Sequence, residues 1–181
     1  MAELSVPVGQ QDHVQGSEDA PLTLVEYADF QCPACRMAYP VVKRVQKHFG
    51  DALRFVYRHY PLPQHPLASP AAETAEFAAA RSRFWEMHDA LFERQPELSE
   101  TLFGELAQGM GLNTKELGEA LDEGEYAGRL QTDVDSGDAS GVTGTPTFFI
   151  NGVRHEGEHD VRSLIEAIEA ARTSGYAGAT G

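Results

Sequence analysis

The stretch Phe30-Gln31-Cys32-Pro33-Ala34-Cys35 holds the only two cysteines of the sequence, and the predicted fold is arranged around it. The apolar run Leu22–Tyr27 comes just before it and predicts a buried strand. Apolar residues at helical spacing follow it and predict a helix over Pro33–Phe49. Pro33 suits the first helical position, since its missing N–H would have had no partner there. We therefore expect Cys32 where a strand ends and a helix begins.

A cysteine at a helix N-terminus is chemically activated. Free N–H groups and the positive end of the helix dipole favour the thiolate, which is the nucleophile. Cys35 lies one turn further along on the same side, so the two sulfur atoms can meet. The spacing predicts dithiol–disulfide exchange, in which Cys32 reacts through a mixed disulfide and Cys35 resolves it.

Two other uses of the cysteine pair are open to the sequence. Structural zinc usually takes four ligands, and the chain offers no second cysteine pair and no nearby His-x3-His pattern. A purely structural disulfide across so short a loop would remove little chain entropy. Redox exchange is therefore favoured over both a structural zinc site and a purely structural disulfide.

Composition sets broad limits on function. The chain has 181 residues, of which 41% are hydrophobic and 23% charged, as is ordinary for a globular protein. Its net charge of −14 argues against nucleic-acid binding, which needs a basic face. We expect no membrane insertion, because no apolar run has the length to span a bilayer. Residues 1–16 lack a secretory signal pattern, so the expected compartment is cytoplasmic, or extracytoplasmic if a leader was removed.

The order of predicted elements defines an α/β fold. The first strand and helix, followed by a second strand at Leu53–Tyr60, predict a right-handed βαβ unit. Helical patterns fill the middle of the chain, and a strand at Thr147–Ile150, a second at Val153–Glu156 and a final helix complete it. We predict an arm at 1–20 with a short edge strand around Leu4–Val8, a core at 21–66 and 141–173, a helical insertion at 67–140 and a flexible tail at 174–181.

Single residues predict several local features. Ser99, Asn113 and Asp160 are expected to cap helices. Asn151-Gly152 predicts a type I′ hairpin turn, and Pro40 should kink or split the first helix. We expect His13, in the arm, to be solvated.

Glu26 is the unusual member of the first strand. A carboxylate inside an apolar strand is costly unless it is paired or protonated. Glu26 could face solvent on an edge strand, but the run is apolar on both faces, which favours a central strand. Buried at the base of the active-site helix, Glu26 is predicted to carry protons.

Longer stretches of the sequence resemble a known family. A Cys-x-x-Cys at a helix start and Thr-Pro before a hairpin resemble the thioredoxin fold, and the helical insertion resembles the DsbA family of thiol–disulfide oxidoreductases. The similarity extends over about Asp12 to Arg172. The stretches that carry it are Val25–Cys35, Tyr57–Leu62, Phe84–Asp89 and Gly141–Gly152.

The resemblance implies roles for the catalytic residues. Cys32 matches the nucleophilic, solvent-facing cysteine of the family, and Cys35 matches the buried resolving cysteine. Glu26 matches the buried acid beneath the disulfide.

The resemblance also implies a surface for substrate. Pro146 matches a cis-proline that faces the active site, and the Thr145 backbone is expected to pair with an extended substrate peptide as an added strand. Pro33 and Ala34, between the cysteines, complete the predicted substrate-binding residues.

The sequence thus predicts a thioredoxin-like α/β fold with an inserted all-helical subdomain, acting as a thiol–disulfide oxidoreductase without metal or organic cofactor. Its expected partners are protein or peptide thiols and disulfides and a redox partner that recycles the site. We expect a monomer, since the arm is too short for a dimerisation domain. The alternatives are a non-catalytic peptide-binding module and a metal or iron–sulfur carrier that uses both cysteines.

The dipeptide between the cysteines generates a first prediction. Strongly oxidising members of the family often have histidine at the position of Ala34, and alanine donates no hydrogen bond and carries no charge. The Ala34→His variant should have a higher reduction potential than the wild type, measured in glutathione buffers. An unchanged potential would mean that the helix dipole, and not the dipeptide, controls Cys32.

Overall fold

The computed structural model of the protein describes the backbone of residues 2–177 and the side chains through Ser174. In this range the elements follow the predicted order of a β-α-β segment, a helical segment and a β-β-α segment. The strands are β1 (His13–Gln15), β2 (Leu22–Ala28), β3 (Leu53–His59), β4 (Thr147–Ile150) and β5 (Val153–Arg154). The helices are α1 (Pro33–Phe49), α2 (Ala68–Ala79), α3 (Phe84–Glu93), α4 (Glu100–Gly109), α5 (Thr114–Glu123), α6 (Ala127–Ala139) and α7 (Val161–Ala177).

The strands form one sheet in the order β1-β3-β2-β4-β5, which places β2 at its centre. Strand β4 runs antiparallel to β2, with Glu26 opposite Phe148 and Tyr27 opposite Thr147. Glu26 is only 3% exposed. The predicted central strand with a buried Glu26 is confirmed, and the alternative of a solvent-facing Glu26 on an edge strand is wrong.

The turn between β4 and β5 follows the sequence signal. Asn151 and Gly152 both have positive φ angles, 47° and 84°, as the predicted type I′ turn requires. The Asn151 side chain also accepts a hydrogen bond from the Thr23 N–H at 2.8 Å, and the Asn151 N–H donates to the Thr23 carbonyl at 2.9 Å. The turn is therefore tied to the start of β2.

The contact pattern divides the chain into two compact units. The first contains Met1–Tyr27, Met37–Arg58 and Ser136–Gly181, and the second contains Ala28–Arg36 and His59–Asp135. The described core of the first unit consists of apolar side chains from the sheet, α1 and α7. Its members include Leu24, Val25, Val45, Val56, Phe149, Leu164 and Ile168. The domain boundaries proposed from the sequence remain a prediction.

The second unit is built around α2. This helix packs against α3, α4 and α5, and its alanines allow close approach. Ser99 accepts from the Leu102 N–H at 3.1 Å at the start of α4, and Asn113 accepts from the Glu116 N–H at 3.0 Å at the start of α5. Both predicted caps are confirmed, and so is Asp160, which accepts from the Ser163 N–H at 2.9 Å before α7.

The N-terminal arm differs from the prediction. The expected edge strand around Leu4–Val8 is wrong: Glu3 makes one bridge to Val153, and the strand lies at β1, where His13 is opposite Tyr57. Three residues are too few for an alternating pattern to stand out, and the pairing is set by the free edge of β3. His13 is half-buried in this strand and not simply solvated.

Two other expectations need correction. Helix α1 runs unbroken through Pro40, so the predicted split at this residue is wrong, whereas the predicted kink stays a prediction. The predicted flexible tail at 174–181 overlaps α7, which continues to Ala177. The rest of that tail, 178–181, lies outside the described residues.

The first unit contains a buried cation. The Arg58 side chain is 3% exposed and donates from Nε and Nη2 to the Asp12 carboxylate, at 2.8 and 3.0 Å. Its Nη1 donates to the Tyr27 hydroxyl at 2.9 Å and to the Val6 carbonyl at 2.9 Å. Burial disfavours the charged form, but the hydrogen bonds to Asp12 and Tyr27 outweigh it, so the pKa of Arg58 lies above its usual value. This pair fixes the arm to β3.

The second unit has its own buried polar cluster. His59 Nε2 lies 2.8 Å from Glu76 Oε2, and the His59 N–H donates to Asp133 Oδ2 at 2.9 Å. Arg129 Nη1 donates to Asp133 Oδ1 at 2.6 Å and its Nε lies 3.5 Å from Glu76 Oε1. The cluster connects the end of β3 with α2 and α6.

Removing one partner of the Arg58 pair should strongly destabilise the protein. Asp12→Ala leaves a buried guanidinium without its carboxylate, and we expect the free energy of unfolding to fall by about 3–5 kcal/mol. Chemical denaturation followed by circular dichroism measures it. Glu97→Ala, which removes the partner of Arg94 in an exposed pair, is the control and should change stability little. Equal effects of the two variants would contradict the role assigned to Asp12.

Candidate active site

Cys32 directly precedes α1 and occupies its N-cap position. Pro33 is the first residue of the helix, as predicted, and the Arg36 N–H donates to the Cys32 carbonyl at 3.1 Å. At an N-cap the side chain faces the N–H groups of the first helical turn. A thiolate at this position would face the positive end of the helix dipole.

The two cysteines lie one helical turn apart and differ little in exposure. Cys35 is 0% exposed, as expected for the resolving cysteine, but Cys32 is only 6% exposed. The solvent-facing Cys32 implied by the family resemblance is therefore nearly covered. Pro33 and Ala34 are both exposed beside it, so the surface next to the sulfur is formed by the dipeptide between the cysteines.

Asp29 holds the turn that leads into α1. Its carboxylate is buried, and Oδ1 accepts from the Gln31 N–H at 2.7 Å and the Cys32 N–H at 3.1 Å. Its other oxygen, Oδ2, accepts from the Leu62 N–H at 2.9 Å and lies 2.7 Å from His65 Nδ1. One carboxylate thus joins the cysteine turn to the loop that follows β3.

The proline-rich loop after β3 is attached to this turn at further points. The Gln31 side chain accepts from the Leu67 N–H at 2.7 Å, and the Tyr60 N–H donates to the Ala28 carbonyl at 2.8 Å. Prolines at 61, 63 and 66 restrict the backbone of this loop. The loop is therefore conformationally restricted and hydrogen-bonded to the turn before α1.

Gln95, which lies just after α3, is hydrogen-bonded to the turn before α1. Its Nε2 donates to the Phe30 carbonyl at 2.7 Å and to the Cys32 carbonyl at 2.9 Å. The Phe30 ring is buried against Phe92 and His88, with ring centroids 4.9 and 5.8 Å away. Helix α3 and Gln95, which follows it, therefore hold both the backbone and the side chain of Phe30.

The remaining predicted site residues belong to the first unit. The Thr145–Pro146 peptide bond is cis, as the resemblance implied, and Pro146 is buried. The antiparallel register of β2 and β4 brings Glu26 opposite Phe148, two residues beyond Pro146. The positions of Glu26, Thr145 and Pro146 next to Cys32 stay a prediction.

Asp29, His65 and Gln95 are site residues that the sequence reasoning missed. Asp29 could have been found, because an aspartate side chain in a turn often accepts from backbone N–H groups two or three residues further along. His65 and Gln95 act from segments far along the chain, and no local pattern signals them.

The cysteines provide two sulfur ligands for a metal, half the number that a structural zinc site takes.

None of the helices within residues 2–177 combines the length and the apolar character needed to cross a membrane.

This fold and site define a class of protein: a thioredoxin-like α/β fold with a Cys-x-x-Cys pair at the N-terminus of its first long helix. The family model described as thioredoxin matches residues 9–170, so the chain belongs to the thioredoxin family. The fold class predicted from the sequence is confirmed.

Several solved structures share this fold. BdbD from Bacillus subtilis, in its oxidised form, is 27% identical with a TM-score of 0.84, and the match covers 93% of this chain and 97% of BdbD. A thioredoxin-like oxidoreductase from Silicibacter pomeroyi is 25% identical with a TM-score of 0.78, covering 91% and 94%. Alpha-DsbA1 from Wolbachia pipientis, 20% identical with a TM-score of 0.79 over 92% and 93%, shows the shared fold.

The curated relatives, unlike the solved structures, are named as Na(+)/H(+) antiporters. The Na(+)/H(+) antiporter NhaA 3 of Salinispora tropica is 45% identical over 174 residues, which are 95% of this chain and 26% of the antiporter. NhaA 1 of Salinispora arenicola is 45% identical over 97% of this chain and 26% of its own length. The chain spans about a quarter of the length of these relatives.

The contacts of Gln95 generate a prediction about the rigidity of the cysteine turn. Gln95→Ala removes the donor to the Phe30 carbonyl, and we expect the free energy of unfolding to fall by about 1–3 kcal/mol. Amide hydrogen exchange should also become faster at residues 30–36. Gln46→Ala, which loses a side-chain hydrogen bond to Gln15, is the control and should leave exchange at residues 30–36 unchanged. Unchanged exchange in Gln95→Ala would show that other contacts hold the turn.

Proposed function

We propose that the chain is a thiol–disulfide oxidoreductase that exchanges disulfides with cysteines of proteins or peptides. The observation that carries the proposal is the position of Cys32 at the N-cap of α1, with Cys35 one turn further along, in a thioredoxin fold. The neighbours BdbD and the Silicibacter protein, one described as a thioredoxin-like oxidoreductase, support the same chemistry.

The chemistry follows from the two sulfur atoms. In the reductive direction the Cys32 thiolate attacks a substrate disulfide, forms a mixed disulfide and releases one substrate thiolate. Cys35, after losing its proton, then attacks Cys32 Sγ, which closes the Cys32–Cys35 disulfide and releases the second thiolate. Two electrons pass to the substrate, and the reverse sequence oxidises a substrate dithiol. A redox partner must return the pair to its starting state.

Other residues have proposed roles in this reaction. Glu26, buried in the central strand, would carry the proton that Cys35 loses or gains. Pro33 and Ala34 are exposed and would contact the substrate beside Cys32. The Thr145 backbone before Pro146 would pair with an extended substrate peptide. We propose that the chain acts as a monomer.

Two cysteine variants test the function. Cys32→Ser should reduce disulfide exchange with a peptide substrate to the uncatalysed rate, because the nucleophile is lost. Cys35→Ser should instead accumulate a mixed disulfide between Cys32 and the peptide, since resolution is blocked, and mass spectrometry detects this adduct. Gln46→Ala serves as the control with normal exchange. A Cys32→Ser protein that still exchanges disulfides would favour the peptide-binding module over the enzyme.

The reduction potential of the Cys32–Cys35 pair decides the direction of the reaction. A potential near about −270 mV, as in thioredoxin, would make the protein a reductant. A potential toward about −120 mV would make it an oxidant of substrate thiols.

A second candidate function follows from the curated relatives. They are named Na(+)/H(+) antiporters, and they align with nearly the whole of this chain. Under this candidate, exchange at Cys32–Cys35 modulates an antiporter. Sodium-driven proton movement in vesicles that contain the Salinispora tropica antiporter, with this chain or its Cys32→Ser variant added, tests it. Identical transport with both proteins and with neither would exclude this role.

A further inference from the structure

The buried Asp29 carboxylate lies close to the predicted nucleophile. Its Oδ1 is 3.1 Å from the Cys32 nitrogen, and the sulfur is three bonds from that nitrogen. Covalent geometry therefore keeps the carboxylate within roughly 7 Å of the sulfur. Among the described residues, the backbone N–H groups of Gln31, Cys32 and Leu62 donate to this carboxylate, and His65 Nδ1 lies 2.7 Å from its Oδ2.

Asp29 has two opposing effects on Cys32. It fixes the turn that places Cys32 at the helix N-terminus, which favours the thiolate. Its negative charge, however, lies close to the same sulfur in a buried environment, where like charges repel strongly and the thiolate is disfavoured. The Cys32 N–H is shared between the Asp29 carboxylate and the Asp29 backbone carbonyl, each at 3.1 Å.

His65 is placed to offset the charge of Asp29. Its Nδ1 lies 2.7 Å from Asp29 Oδ2, and in the Nδ1–H tautomer it donates to that oxygen. The His65 side chain is 20% exposed, whereas that of Asp29 is fully buried. Prolines 61, 63 and 66 restrict the backbone of the loop that contains His65. The imidazole thus connects a buried charge near Cys32 with the protein surface.

We propose that Asp29 and His65 form a pair of positioning residues that sets the reactivity of Cys32: Asp29 fixes the turn but disfavours the thiolate, and His65 offsets that negative charge. This inference rests on the proposed function, since it concerns the nucleophile of the exchange reaction. It assigns the His65 loop a role in controlling the active site in addition to supporting it.

Substitutions of Asp29 and His65 should change the thiolate fraction of Cys32 in opposite directions. Asp29→Asn keeps an oxygen acceptor but removes the charge, so the thiolate of Cys32 should become more favourable. His65→Leu leaves the Asp29 charge without its side-chain donor, so the thiolate should become less favourable. In the Asp29→Asn background there is no charge to offset, and adding His65→Leu should then have little further effect. A purely structural role would move both single variants in the same direction.

The experiment measures the rate of Cys32 alkylation by iodoacetamide as a function of pH, in the full chain with Cys35→Ser so that one sulfur reacts. Below the midpoint of this profile the rate is proportional to the thiolate fraction. We expect Asp29→Asn to react at least about tenfold faster than the parent and His65→Leu at least about threefold slower. His48→Leu, an exposed histidine of α1, is the matched control and should react like the parent.

The outcomes are decisive in each case. Rates that shift in the same direction, or two effects that add in the double variant, overturn the proposal. If Asp29→Asn does not fold, as thermal denaturation will show, an unchanged or faster rate in His65→Leu overturns it and a slower rate supports it. Equilibration of the wild type with glutathione is measured in parallel. A wild type that forms no Cys32–Cys35 disulfide refutes the proposed function, whereas exchange without opposite shifts refutes only this inference.

Discussion

The turn between β2 and α1 depends on a single buried carboxylate. Asp29 is surrounded by N–H groups from its own turn, from Leu62 and from His65, and these donors compensate for the loss of water around its two oxygens. A buried carboxylate with this number of hydrogen-bond partners defines one backbone arrangement, because each alternative would leave a carboxylate oxygen or an N–H unsatisfied. Cys32 is at the N-cap of α1 because this turn is held, and the chemistry of the site follows from that position.

Buried charges connect distant segments in both units. In the first, Arg58 joins β3 to Asp12 of the arm, and in the second, His59 and Arg129 join β3 and α6 to the carboxylates of Glu76 and Asp133. Such clusters add little net stability compared with an apolar core, but breaking one partner is costly. They therefore specify which segments pack together more than how strongly they do so. The loop with His65 begins directly after His59, a member of one of these clusters.

Local sequence patterns predicted the elements that short-range interactions determine. Helix α1 starts at Pro33 and ends at Phe49 as expected, and Ser99, Asn113 and Asp160 cap helices, because a cap needs only neighbouring backbone groups. The Asn151-Gly152 turn formed because these residues tolerate positive φ angles. Strand β1 was missed, since a three-residue strand depends on the partner that it pairs with.

By itself, then, the sequence determined the order of strands and helices, the central burial of Glu26 and the position of Cys32 and Cys35 at the start of α1. The reason is that periodicity, capping residues and cysteine spacing act within a few residues of chain. The tertiary structure alone decided the near-complete burial of Cys32 and the contacts of Asp29, His65 and Gln95 around it. The contacts that Leu62, His65 and Gln95 make with residues 29–32 join positions more than thirty residues apart. Such partners become neighbours only when the loops between them close on a packed core.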